Sequence, residues 1–341
     1  MRASAAVTWY GQREGGPYFD DLWVGQVFDS APSMTLTEGV AAVHQSITGD
    51  RLRLPLDADL TAAVTGAPAP LAHPALVCDV AIGQSTLVTQ RVKANLFYRG
   101  LTFHRFPVLG DSLSTRTEVV GLKQNSAKPG RAATGLAALR MTTVDGRGQL
   151  VLDFHRCAML PLSAETVQTG HADDLSKIGV APDTPPQPTA DWDAEAFRSR
   201  VPGPHFDPAL VGTVLPSTAD LVSSAAELAR LTLNIAATHH DSRKAGKRLV
   251  YGGHTIGLAL AQATRLLPNL VTVLAWESCD HTGPVYENDT VYSELSIDGA
   301  DPLPGGRGSV VRLHSTVYAA GGPESKDDRQ VLDWRFTGLL F

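Results

Sequence analysis

The chain has 341 residues, of which 43% are hydrophobic and 19% charged, the profile of a globular protein with room for two domains of ordinary size. A net charge of −6 argues against a general role in binding nucleic acid or a membrane surface, so we expect neither partner. We find no apolar run of membrane-span or signal-peptide length. The three cysteines, Cys78, Cys157 and Cys279, form no C-x-x-C pair, which predicts reduced thiols and a cytoplasmic protein.

An internal repeat organises the sequence. Three pairs of similar segments occur in the same order in both halves: Phe19–Val27 with Phe206–Val214, Pro107–Leu113 with Pro284–Val291, and Val151–Phe154 with Val331–Trp334. Repeated segments in register indicate that one unit has been duplicated. We therefore predict a first unit at residues 17–162, a Pro-rich linker at 163–204 that is extended around 181–188, and a second unit at 205–341.

Each unit is predicted to contain a buried central helix followed by a run of strands. In the first unit, Thr37 caps a helix that runs to Thr48, and Pro74 begins an apolar helix that extends to Val88. In the second unit we predict helices at Thr218–Ala237 and at Thr255–Leu267, where Pro268 ends the helix. Stretches rich in β-branched and apolar residues predict strands at Leu96–Phe103, Asp111–Leu122, Ala132–Thr143, Gln149–Met159, Thr272–Glu277, Asp289–Ile297, Gly308–Ala319 and Gln330–Leu340.

This order of elements predicts an α+β fold in which two tandem units each wrap an antiparallel sheet around a long central helix. One curled sheet leaves an edge exposed, and pairing of two units side by side covers that edge. Because the duplication supplies both members of the pair, we expect a monomer or a homodimer.

The helix at Thr255–Leu267 is apolar on every side, so we expect it to lie inside the domain. Gly252 and Gly253 precede it and let the backbone approach a ligand closely. The first N–H groups of a helix have no partner within it, which suits its amino end to a carbonyl oxygen or an anion. A dense polar segment, Asn234–Asp241, lies just upstream. Together the two segments predict an active site.

Asn234 and His239, followed by Arg248-Leu249-Val250-Tyr251-Gly252-Gly253-His254, resemble the MaoC-like (R)-specific enoyl-CoA hydratases in their double hot-dog form. Within that family the resemblance is to the mesaconyl-CoA hydratases, or β-methylmalyl-CoA dehydratases. Thr35–Gly39 and Val120–Asn125 add to it. The resemblance implies a double hot-dog fold and a hydro-lyase of fatty acid metabolism that acts on an acyl-CoA or acyl-ACP thioester without a cofactor.

The wider hydratase family carries the motif Ser-Gly-Asp-x-Asn-Pro-x-His-x-Asp. On this chain the family's first Asp falls on Asn234, its His on His239 and its last Asp on Asp241. Asn234 therefore replaces a carboxylate with a neutral amide, as in the mesaconyl-CoA group. In the first half, Asp50 lies in a similar Thr-Gly-Asp sequence, but Pro55 stands where the motif needs a histidine. The resemblance thus implies a degenerate first unit that shapes the acyl tunnel.

Hydration of an enoyl thioester needs a base for water, a proton for the α-carbon and a donor to the thioester oxygen. His239 suits both proton transfers because the unperturbed pKa of histidine is near 6.5. Asn234 can orient the water but cannot take its proton. We predict that the N–H groups of Gly253 and His254, beside Gly252, stabilise the thioester oxygen. Helical positions five apart point about 140° from each other, so we predict that the helix ends between Asn234 and His239, near residues 237–238.

Several assignments stay open at this level. His240, Asp241 and Tyr251 are expected behind the catalytic pair. A basic cluster could meet CoA phosphates or form a solvated loop; its members are Arg243, Lys244, Lys247 and Arg248. The spacing of Glu277, Asp280 and His281 fits no standard ligand set, so we predict no metal. A thioesterase on the same fold and a non-catalytic acyl-CoA or acyl-ACP binding protein remain as alternatives, because the family's first Asp is absent.

Overall fold

A computed structural model describes residues 15–127, 129–179, 186–244, 246–306, 308–321 and 327–341. The strands of the first half are β1 (Val27–Phe28), β2 (Met34–Thr35), β3 (Ala94–Phe103), β4 (Ser112–Gln124), β5 (Thr134–Asp145) and β6 (Leu150–Pro161). Those of the second half are β7 (Val214–Pro216), β8 (Asp220–Leu221), β9 (Leu270–His281), β10 (Thr290–Pro302), β11 (Ser309–Ala319) and β12 (Arg329–Leu340). The α-helices are α1 (Glu38–Thr48), α2 (Arg53–Leu56), α3 (Ala58–Thr65), α4 (Pro74–Gln84), α5 (Thr86–Thr89), α6 (Ala194–Arg200), α7 (Ala225–Leu231) and α8 (Gly252–Leu266).

All of these strands join one antiparallel sheet, and its order shows the duplication. Outward from the centre, one side runs β3-β6-β5-β4-β1 and the other β9-β12-β11-β10-β7, while β2 and β8 pair with β4 and β10. The two halves meet where β3 pairs with β9, with Phe97 opposite Asp280 and Thr102 opposite Ala275. The predicted strands and the side-by-side pairing of two units are therefore confirmed.

The two central helices lie in the core of this sheet. Every residue of α4 is buried, and so is every residue of α8 from Gly253 to Thr264. A helix buried on all sides is expected to be mostly apolar or small all round, and both sequences are so apart from a few buried polar residues, among them Asp79 and Gln84 in α4 and His254 and Gln262 in α8. The helix α8 begins at Gly252, three residues earlier than Thr255, so the glycine pair forms its first turn.

The predicted helix Thr218–Ala237 is wrong at both ends. Residues 220–221 form β8, which pairs with the start of β10, and the helix itself is only α7. The chain leaves the helix because Leu233 adopts a positive φ of 62° and the N–H of Asn234 reaches back to the carbonyl of Ala229 at 2.9 Å. Asn234 and His239 thus both lie beyond the helix, and the predicted helix end between them is wrong.

Part of the predicted linker packs against the two units. Of its Pro-rich stretch 181–188, the residues up to 185 lie outside the described part of the chain. After it, Asp193 caps α6, whose Phe197 is fully buried with its ring 5.7 Å from that of Phe341. No described helix combines the length and the apolarity that a bilayer crossing requires.

Candidate active site

A cavity of about 290 Å³ opens beside the amino end of α8. Both halves of the chain build its walls. The first half contributes Thr86, Thr89, Lys93, Asn95, Tyr98 and Arg156, and the second half contributes Asn234, His239, Tyr251, Gly252, Thr255 and His281. This volume is at the lower end of the range for small-molecule sites, which fits a short ligand chain.

His239 lies in the cavity wall and is 8% exposed. Its Nδ1 lies 2.9 Å from the carbonyl oxygen of Leu249. A carbonyl can only accept a hydrogen bond, so Nδ1 carries the ring proton and Nε2 keeps a lone pair. Burial lowers the pKa of His239 to about 4; the Leu249 carbonyl opposes this shift, while His240 and Arg156 lower the pKa further. The imidazole is therefore a neutral base at neutral pH.

Asn234 is 3% exposed and is held by its own backbone turn. Its Oδ1 accepts the N–H of Ala236 at 3.0 Å, and its carbonyl oxygen accepts a hydrogen bond from Nε2 of His240 at 2.6 Å. Within the described residues, Nδ2 of Asn234 has no hydrogen-bond partner. The amide N–H₂ is thus the group that Asn234 can offer to a ligand in the cavity, while His240 lies behind it.

The amino end of α8 differs in detail from the sequence prediction. Gly252 lines the cavity, but Gly253 is buried against the carboxylate of Asp79 and the ring of Tyr251. The N–H of His254 donates to the carbonyl of Tyr251 at 3.0 Å, and its imidazole is fully buried away from the cavity. The N–H of Gly252 is therefore better placed for a thioester oxygen than those of Gly253 and His254.

Comparison with known proteins agrees with this fold. No protein-family model matches the chain. A conserved double hot-dog protein from Mycobacterium tuberculosis is 69% identical, with a TM-score of 0.92 over 96% of this chain and 100% of that one. A β-methylmalyl-CoA dehydratase from Chloroflexus aurantiacus is 29% identical over 304 residues, which is 85% of this chain and 84% of the relative. A MaoC domain protein from the same organism is 25% identical, with a TM-score of 0.78 over 95% and 97% of the two chains. The chain belongs to the double hot-dog, MaoC-like family.

In this MaoC-like protein the first half also supports the second-half residues. The hydroxyl of Thr86 accepts the N–H of Ile235 at 3.0 Å, and the carbonyl of Gln90 accepts the N–H of Ala237 at 3.2 Å. Burial and the nearby carboxylate of Asp79 raise the pKa of Tyr251 well above its usual value. Asp79 in turn lies 3.1 Å from Nε2 of His44. The segment that carries Asn234 and His239 is thus anchored on α5.

Of the basic cluster predicted to meet CoA phosphates, the described side chains of Arg243, Lys247 and Arg248 do not line the cavity of this MaoC-like protein. Arg243 bonds Asp241 from Nε at 2.8 Å and from Nη2 at 2.9 Å. Arg248 pairs with Glu287, and the ammonium of Lys247 lies 6.0 Å from the ring centroid of Tyr286. The side chain of Lys244 lies outside the described part of the chain. Lys93, from the first half, is a basic residue that does line the cavity.

Sequence reasoning missed several side chains that line the cavity, most of them from the first half. Arg156 is a cavity residue, and one signal could have revealed it. Side chains of β6 point alternately inward and outward, so Phe154, Arg156 and Ala158 share the inward face. A charged residue at an inward-facing position is unusual. Asn95 and His281 also line the cavity without having been predicted as site residues. Among the described residues, no group of three or more His, Cys, Asp or Glu side chains could hold a metal ion.

Proposed function

We propose that this protein is a hydro-lyase that adds water to the α,β double bond of a short enoyl thioester, or removes it. The observation that carries the proposal is the neutral imidazole of His239, with Nε2 unprotonated, in a cavity at the amino end of a buried helix. Membership of the MaoC-like family and likeness to a β-methylmalyl-CoA dehydratase support the same reaction class.

In the hydration direction, Nε2 of His239 takes a proton from water as the water oxygen bonds to the β-carbon. The electron pair of the double bond moves to the α-carbon and is shared with the thioester oxygen. The N–H of Gly252 donates to that oxygen, assisted by the positive end of α8. The imidazolium then returns the proton to the α-carbon, so one water is added with no change of redox state. Nδ2 of Asn234 would hold the water oxygen in line.

The substrate would be a CoA thioester, although an acyl-ACP remains an alternative, and the steps above require no cofactor. Both halves of a single chain line the cavity, so we propose that the protein acts as a monomer, with a homodimer as the alternative. The three cysteines are free and buried, in keeping with a cytoplasmic enzyme.

The test follows the conjugated thioester by its absorbance after addition of crotonyl-CoA or mesaconyl-CoA. His239→Gln keeps a polar side chain of similar reach but removes the base, so we expect a loss of at least about 100-fold in rate. His104→Gln is the control, because His104 is a half-buried histidine outside the cavity. Wild-type protein that hydrates neither thioester, or a His239→Gln variant as fast as wild type, would refute the proposal.

The same assay separates the alternative functions. Release of free thiol from the thioester without loss of the double bond would identify a thioesterase. Saturable binding of acyl-CoA without either change would identify a binding protein.

A further inference from the structure

A second cavity lies beside the carboxyl end of α8. It measures about 620 Å³, and its walls include Asp50, Thr264 and Pro268. The candidate active site lies beside the amino end of the same helix. Because α8 has 15 residues that each rise about 1.5 Å, the two ends of the helix are roughly 20 Å apart.

The second cavity is the counterpart of the candidate active site in the internal repeat. After α1 comes Gly49 with a φ of 68° and then Asp50, and after α7 comes Leu233 with a φ of 62° and then Asn234. In both turns, Oδ1 accepts the N–H of the residue two places along, at 2.6 Å for Asp50 and at 3.0 Å for Asn234. Asp50 is therefore the first-half equivalent of Asn234, and it lies in the wall of a different cavity.

The second cavity lacks the donor that hydration would need. The helix α4 begins at Pro74, where α8 begins at Gly252, and proline has no backbone N–H to offer a thioester oxygen. The neighbouring imidazole of His73 is already engaged. Its Nδ1 accepts the N–H of Ala75 at 3.2 Å, and its Nε2 lies 2.9 Å from Oδ1 of Asp50. These features favour a binding site over a second hydration site.

Arginine dominates the charge of the second cavity, although the whole chain has a net charge of −6. Two aspartates in the wall, Asp50 and Asp57, face four arginines from the α2 region, α6 and α8, which are Arg51, Arg53, Arg200 and Arg265. Arg265 forms an ion pair with Asp220. Within the described residues, no carboxylate pairs with the other three. Their guanidinium groups are therefore available to an anionic ligand, and the arginine fork matches phosphate well.

One acidic oxygen in the same wall also needs a partner. Asp50 is 1% exposed, and its Oδ2 has no hydrogen-bond partner among the described residues. A buried carboxylate oxygen without a donor is costly, so a ligand that brings an N–H or O–H group there gains affinity. The cavity volume lies within the range of about 300–1,000 Å³ that is typical of small-molecule sites.

We propose that the second cavity binds a phosphate ester that also carries a hydroxyl or amino donor, as nucleoside phosphates and sugar phosphates do. The phosphate binds among Arg51, Arg53 and Arg200, and the donor bonds Oδ2 of Asp50. The negative charge of Asp50 repels the phosphate, so the ligand has one preferred orientation. This site is separate from the candidate active site and does not depend on the proposed hydro-lyase activity.

The experiment is isothermal titration calorimetry on the full chain in magnesium-free buffer, with ADP and pyrophosphate as matched probes. Pyrophosphate lacks the hydroxyl and amino groups of the nucleoside, so we expect ADP to bind at least about tenfold more tightly. Asp50→Asn keeps Oδ1 for the turn but replaces Oδ2 with an N–H₂ group that cannot accept. In this variant the two affinities should lie within about threefold. Glucose 6-phosphate, as a third probe, distinguishes a sugar phosphate site from a nucleotide site by which ester binds more tightly.

Two exposed arginines on different segments test the phosphate end. Arg51→Gln and Arg200→Gln should each weaken both ADP and pyrophosphate at least about tenfold, because each removes a charge-assisted hydrogen bond. Thermal unfolding checks that the variants fold. The matched control is Arg140→Gln, since Arg140 forms an ion pair with Asp153 far along the sheet on β5. Lys93→Gln changes a basic residue of the candidate active site and should leave ADP binding unchanged.

Four results would overturn the inference. They are no binding of ADP or glucose 6-phosphate by wild type, equal binding of ADP and pyrophosphate by wild type, unchanged affinity in both arginine variants, and weakening by Lys93→Gln alone, which would place ADP in the candidate active site. None of these results bears on hydration. The hydro-lyase is tested separately by His239→Gln, whose side chain lines the other cavity.

Discussion

Replacing Gly83 with alanine tests how the first half positions the segment that carries Asn234 and His239. Gly83 lies in α4, where a Cβ would be 1.6 Å from the carbonyl oxygen of Thr232 and 3.1 Å from the backbone nitrogen of Asn234. Carbon and carbonyl oxygen normally approach to about 3.3 Å, so the backbone of residues 232–234 would have to move by roughly 1.7 Å. This backbone carries the turn that holds Asn234 and leads directly to His239.

The two effects of Gly83→Ala on stability oppose each other. Alanine is favoured over glycine in a helix interior by about 1 kcal/mol, but overpacking of a core costs about 1–3 kcal/mol and occasionally more. We therefore expect a net loss of roughly 0–2 kcal/mol in the free energy of unfolding, which leaves most molecules folded. The rate should suffer more, because a displacement of about 1 Å in an active site can cost about 100-fold.

Thermal unfolding and the hydration rate should be measured on the same preparation. Gly39→Ala is the matched control: Gly39 is exposed in α1, and its nearest neighbour would be Oγ1 of Thr37 at an ordinary 3.8 Å. It should keep the wild-type rate and gain a few tenths of a kcal/mol. A Gly83→Ala variant with wild-type stability and rate would show that α4 does not determine the position of Asn234.

Two further predictions concern pH and the turn at the site. Burial lowers the pKa of His239, His254 and His281 to about 4 in the folded protein, so the unfolded chain takes up these protons first, near pH 6.5. With respect to these histidines, the free energy of unfolding is highest above pH 6.5, and it should fall by about 2 kcal/mol for each of them at pH 5. A urea midpoint unchanged between pH 7 and pH 5 would contradict this. Asn234→Ala removes the oxygen that accepts the hydrogen bond of the turn, so it should lower the free energy of unfolding by about 1 kcal/mol and the rate at least tenfold. Asn234→Asp should keep the turn and the stability. Equal melting temperatures for the two variants would argue against this role of the turn.

Much of the fold could be predicted because its elements are local patterns. The long strands alternate with a period of two, and α1 has its cap at Thr37, whose Oγ1 accepts the N–H of Val40 at 3.2 Å. The end of α7 could not be predicted in this way. A positive φ usually marks glycine, and here Leu233 adopts it because Thr232 and Asn234 are held against the other half.

The site shows the same division between local and non-local information. His239 and Asn234 could be found because they lie close together in sequence beside a distinctive glycine pair. Which backbone N–H group of α8 faces the cavity depends on where the helix begins, because each residue turns the backbone by about 100°. Gly252 therefore faces the cavity while Gly253 faces Asp79. The alternation of β6 shows that Arg156 points inward, but only the pairing of β3 with β6 and β9 brings Arg156 and Asn95 to the site, and that pairing is not a local pattern.

The seam between β3 and β9 makes the cavity a joint product of the two halves of the chain. The imidazole of His239 comes from the second half, and the guanidinium of Arg156 comes from the first half. A fragment that contains only one half would therefore lack part of the cavity wall.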